Sequence, residues 1–145
     1  MKRATLAALG AGAVIGSAAA IGWGDTPAAT PAFTIGEYQD ALARIAARQG
    51  NALAHCDGVD ASRREVCRTE ASADAMVRVA DVEERYRHDD RSAREAQRAR
   101  IDAQYQVARA RCQELGGYRK DKCLISAHAT RGRALLAAHA PYEMR

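Results

Sequence analysis

Bulky apolar side chains are scarce. The chain of 145 residues has one Phe and one Trp, and alanine is its commonest residue. That excludes a large oily interior, because alanine seams bury little area each at about 25 cal/mol per Å². Burial alone then leaves a small domain marginal. Long single-sign charge runs are also missing. The 22 basic and 18 acidic residues are interspersed and lack aromatic interleaving, so the one-sided basic face of a nucleic-acid-binding chain is not expected. There is no C-x-x-C pair for thiol redox catalysis. After the N-terminal segment there is no Gly-x-Ser-x-Gly elbow and no phosphate-cradling glycine loop.

What is present is a pattern that occurs twice. Cys56-Asp-Gly-Val-Asp-Ala-Ser-Arg-Arg-Glu-Val-Cys67 and Cys112-Gln-Glu-Leu-Gly-Gly-Tyr-Arg-Lys-Asp-Lys-Cys123 have the same internal spacing and lie 56 positions apart. The offset also pairs Ile45 with Ile101, Ala52 with Ala108, Ala71 with Ala127 and Tyr86 with Tyr142. Each copy reads as a short turn between two helices. Four cysteines in a small exported chain imply two disulfides, and the turn signals favour Cys56–Cys67 and Cys112–Cys123. The rival is a crossed pairing across uninterrupted helices, against which Gly58 and Gly116-Gly117 weigh.

Export is read from the N-terminus. Lys2 and Arg3 precede an apolar run and the small residues Ala18-Ala19-Ala20, so residues 1–20 are expected to be a cleaved signal peptide. The alternative is an uncleaved anchor over 4–23, with Trp23 at the interface. Both put the remainder outside the cytoplasm, in the periplasm. No cysteine precedes Cys56, which excludes lipid attachment at the cleavage site. Residues 21–33, with Pro27 and Pro31, read as a flexible linker.

The expected fold is all-α: two disulfide-stapled antiparallel helical hairpins over 34–88 and 90–140, packed as a four-helix bundle or joined end to end. Thr34-Ile-Gly-Glu37 and Ser62-Arg-Arg-Glu65 both fit capping boxes. The first helix runs through Leu42 and Ile45, with Gly50-Asn51 its weak point. The second should carry Val66, Ala73, Val77 and Ala80 near one face. Asp74/Arg78, Asp81/Arg85 and Glu83/Arg87 are acid-before-base pairs four apart. His88-Asp89-Asp90 is expected to break the chain, with Asp90 or Ser92 capping the third helix; continuity through this point is the alternative. The third helix has the clearest seam, Ile101, Tyr105, Ala108, Cys112 and Leu115. The fourth should begin near Arg119 and end at Pro141.

These residues resemble a group of exported proteobacterial proteins of unknown function, rich in Ala and charge, with a unit close to C-x-x-L-x-G-x-x-K-D-x-C-x-x-E-A-x-A. The second copy matches at Cys112, Leu115, Gly117, Lys120, Asp121, Cys123, Ala127 and Ala129. The first matches at Cys56, Cys67, Glu70, Ala71 and Ala73, but has Ala61 in place of the glycine. The similarity spans about Leu42 to Ala140. It implies a compartment and a helical fold and brings no catalytic residues. A weaker similarity, at Cys56, Ser62, Glu65 and Cys67, is to exported lysozyme-inhibitor domains.

Catalysis is therefore not expected, nor is a cofactor. The weak metal candidates are His88, Asp89 and Asp90. His128 and His139 lie about three helical turns apart, roughly 16 Å, too far to share an ion. The charge-rich stretch from Glu83 to Asp102 reads as a solvated helix surface. The expected role is structural, chaperone-like or protein-binding, with an envelope protein or a second copy as partner. Membrane contact is expected only if the N-terminal segment stays uncut. The alternatives are metal or ligand handling and lysozyme inhibition.

Overall fold

A computed structural model describes residues 33–139; the expected signal and most of the linker lie outside the described residues. It contains four helices, α1 (Ile35–Asp57), α2 (Ala61–Arg87), α3 (Asp90–Gln113) and α4 (Gly117–His139). None of them is long and apolar enough to cross a membrane.

Local chemistry accounts for most of the boundaries. The Glu37 amide donates to Thr34 Oγ1 (3.2 Å) and the Thr34 amide donates to Glu37 Oε2 (2.8 Å), closing the first capping box. These hydrogen bonds favour the charged carboxylate, so Glu37 titrates below its ordinary range. Helix α1 passes through Gly50 without interruption.

Cys56–Cys67 and Cys112–Cys123 are both formed, with Cα atoms 5.6 and 5.5 Å apart. The two turns share backbone bonding. Gly58 N–H donates to His55 O and Val59 N–H to Cys56 O; 56 residues on, Glu114 N–H donates to Arg111 O and Leu115 N–H to Cys112 O. Their exits differ. Gly117 sits at φ 53°, whereas Asp60 and Ala61 enter α2 without positive φ. In the first turn, Arg64 Nη2 reaches back to Val59 O (3.2 Å). The second capping box does not form. Helix α2 starts at Ala61 after Asp60, whose side chain makes no cap bond, so Ser62 already lies inside the first helical turn. Likewise α4 begins two residues before Arg119.

His88 breaks the chain between α2 and α3 in a left-handed conformation, φ 50° and ψ 36°. Asp89 caps α3, rather than Asp90 or Ser92. Its Oδ1 accepts from the Ser92 amide (2.6 Å), while Ser92 Oγ donates to Asp89 O (2.9 Å). An aspartate three residues before a serine can satisfy both ends of this exchange, and Ser92 is buried by it.

The helices form an antiparallel row. Backbones approach within 8 Å between α1 and α2, α2 and α3, and α3 and α4, and between no other helices. The hairpins thus lie side by side through α2 and α3, leaving α1 and α4 as edges. Ile45, Ala75 and Val82 form a core that Phe33, Tyr38, Ala41 and Leu42 cover. Tyr38 stacks on Tyr86 at 4.6 Å and bonds Glu83.

Helix α3 is buried along two lines. Ile101 and Cys112 belong to the expected seam; Ser92, Ala96, Ala103 and Ala110 form a second. The seam faces α4, where Cys112 joins Cys123 and Tyr105 meets His128. The other faces α2, where Ala103 and Val107 share a groove with Ala73 and Val77.

Around these thin seams stand charged ties. Arg111 reaches Glu70 (2.6 Å), Arg100 reaches Asp81 (2.7 Å) and Glu84 (3.1 Å), and Arg131 reaches Asp102 (2.7 Å). Part of the charge-rich stretch therefore pairs between helices while remaining partly solvated. Asp74–Arg78 and Glu83–Arg87 form as expected. Asp81 and Arg85 do not pair: Asp81 turns to α3, and Arg85 lies over the Phe33 ring at 4.9 Å.

Candidate functional site

The metal candidates do not converge. His88, Asp89 and Asp90 are all exposed, and the Asp89 carboxylate is occupied by the α3 amide. Hydrogen bonding to Ser92 holds that carboxyl below the usual range. Among the described residues no three His, Cys, Asp or Glu side chains are grouped so as to hold a metal ion. All four cysteines are spent in disulfides.

One polar constellation was not evident from sequence. Tyr105 Oη lies 3.1 Å from His128 Nε2, with the rings 5.0 Å apart. Arg131 covers the other part of the tyrosine ring at 5.2 Å while binding Asp102. Asp102 and Tyr105 on α3, and His128 and Arg131 on α4, are each three apart, a signal present in the sequence once α3 and α4 are paired. Asp102, Tyr105 and Arg131 border an open cleft of about 640 Å³ that also reaches Glu65, Thr69 and Met76.

For acyl transfer this cluster lacks an activated nucleophile. Ser92 is buried with its hydroxyl on Asp89 O, and Ser62 lies exposed in the first turn of another helix. Ser126 lies on the α3–α4 groove but no bond joins it to a histidine. The geometry of Tyr105, His128, Arg131 and Asp102 instead ties α4 to α3 where alanine packing is thin.

The more distinctive feature is an outward face. Tyr118, Ile125 and Leu136 on α4 are 74, 69 and 74% exposed. They are seven and eleven residues apart, close to whole numbers of 3.6-residue turns, so they line one stripe. Lys122, Ala129 and Gly132 fill the stripe at steps of four and three, all exposed. On the opposite edge, α1 exposes Ala43, Ala47, Gly50 and Ala54. Comparison of the chain with protein-family models, with curated proteins and with solved structures finds no match.

Proposed function

We propose that this chain is an exported, periplasmic helical protein without catalytic activity, which binds protein through the outer faces of its helical row in a structural or chaperone-like role. The observation that carries this reading is the stripe on α4: three large apolar side chains, Tyr118, Ile125 and Leu136, are left in water along one line of the helix. Exposed apolar surface of this kind marks interaction sites. The disulfides fit an oxidising, extracytoplasmic compartment. The resemblance to exported Ala- and charge-rich proteins supports the same placement. The oxidised cysteines and the dispersed serines give no support to a hydrolytic or redox activity.

The test is photo-crosslinking in producing cells. A photoreactive residue in place of Ile125 should yield a covalent adduct with a protein of the envelope, whereas one in place of the equally solvent-facing Arg98 on α3 should not. Absence of adducts from Ile125, and from Ala47 on the other edge, would overturn the reading.

A further inference from the structure

At the 56-residue offset, the two free edges of the row correspond in sequence to the two faces of a contact the row already contains. Helix α2 turns Thr69, Ala73 and Met76 towards α3, and Ala80 continues that line at the next step of four. Ala73 shares a groove with Ala103, and Thr69 and Met76 share one with Gln106 and Ala110. Moving 56 positions forward from that line gives Ile125, Ala129, Gly132 and Leu136, the exposed stripe of α4. Moving 56 positions back from Ala99, Ala103, Gln106 and Ala110 gives Ala43, Ala47, Gly50 and Ala54, the exposed stripe of α1. A line of α3 on which Ala103 and Ala110 are buried against its neighbours therefore has its counterpart on the solvent side of α1.

We propose that copies of this chain associate head to tail, the outer face of α4 in one copy packing on the outer face of α1 in the next, in the register by which α2 packs on α3. This takes the protein-binding reading above as its premise and names the partner. The register brings a specific pair together. Met76 and Gln106 line the same cleft, and their counterparts are Gly132 and Gly50. Both glycines have open space where a Cβ would stand. Each weakens a helix interior relative to alanine, and facing each other they let two backbones approach closely.

The ionic ties do not carry over. Glu70 and Arg111 become Ser126 and His55, and Asp81 and Arg100 become Ala137 and Arg44. The contact between copies thus relies on apolar packing and is weaker than the internal one. Because the two faces lie on opposite edges, every added copy leaves one edge free, and the assembly grows past a dimer.

Sedimentation velocity on the oxidised protein recovered after export tests this. Its average mass should rise with concentration beyond that of a dimer. Leu136→Glu blocks one edge and Ala47→Glu the other; both positions are exposed, and circular dichroism with non-reduced mass mapping checks that helices and disulfides persist. Each variant alone should lose all species above the monomer. Their equimolar mixture should form a heterodimer and stop there. A wild-type protein that stays monomeric or stops at two copies, or a mixture that stays monomeric, overturns the proposal. A monomer that still crosslinks at Ile125 to a different envelope protein overturns self-association and leaves the protein-binding reading standing. A monomer without any adduct ends both.

Discussion

Opening the second clasp should release α4 before it unfolds the rest of the row. Cys112 and Cys123 are separated by 11 positions. Closing a loop of that size stabilises the fold by roughly 3 kcal/mol through the unfolded chain, a factor of roughly 150 in an opening equilibrium. Beyond the Arg131–Asp102 pair and the Tyr105–His128 contact, helix α4 has little else to hold it. Among the described helices it approaches only α3, and Ala127 is its one buried residue. Helix α1 is also an edge, but it brings Ile45 into the core and anchors Tyr38 on Tyr86 and Glu83.

The two loops have equal length, so the unfolded-state contribution is the same, and any difference between them reports native packing. The assay is amide hydrogen exchange read by mass spectrometry on two double variants, Cys112→Ala with Cys123→Ala, and Cys56→Ala with Cys67→Ala. The first should speed exchange about 100-fold in α4 with smaller changes elsewhere. The second should affect α1 less. Reduced wild-type protein keeps both side-chain volumes and controls for the methyl substitution. Greater opening of α1 than α4, or a uniform loss across all four helices, would refute the argument that clasps secure edges of unequal strength.

Two further outcomes follow from the turns and caps. Gly117→Ala places a Cβ at φ 53° and should cost about 1–2 kcal/mol, while Gly132→Ala in the exposed helix interior should gain about 0.5–1 kcal/mol. Thermal midpoints of the dilute proteins should therefore move in opposite directions; equal signs would contradict the backbone assignment. The bonds from the Ser92 amide and hydroxyl hold the folded pKa of Asp89 below its unfolded value. Its contribution is then present above the unfolded carboxylate pKa, about 4, and is lost as pH falls through the folded value. Asp89→Asn retains an oxygen for the cap but does not titrate, so its urea midpoint should fall less steeply in acid than that of wild type. Glu37 supplies a residual slope of the same sign. Parallel acid curves for wild type and variant would show that the cap carboxylate does not contribute.

Where reading from the chain failed, tertiary neighbours had taken over local groups. Ser62 and Glu65 satisfy a capping pattern, yet Asp60 leads the helix in and the box is unused. Asp81 has an arginine four residues on, but Arg100 Nη2 on α3 donates to Asp81 and Glu84 together. Thr34 and Glu37, by contrast, meet no competing partner, and their box forms as written. The exposed stripe of α4 was legible only in retrospect. The apolar period does place Leu124, Ala127, Leu135 and Ala138 on the inner face of the fourth helix, and these positions are buried or half-buried, but it does not single out Ile125 and Leu136 as large apolar side chains left outside.

Helix content, the two breaks at the cysteine turns and the pairing within each turn were set by short-range chemistry: capping, glycine conformation and loops too short to span anything but adjacent helices. The order of the row was not. Alanine on several sides of a helix carries almost no directional signal, so the rotation of each helix about its axis, the second buried line of α3 and the unpartnered faces of α1 and α4 emerge only when helices distant in the chain are packed. Methyl-sized side chains permit many rotations at nearly equal burial, and the arginine–carboxylate ties between neighbours help select one.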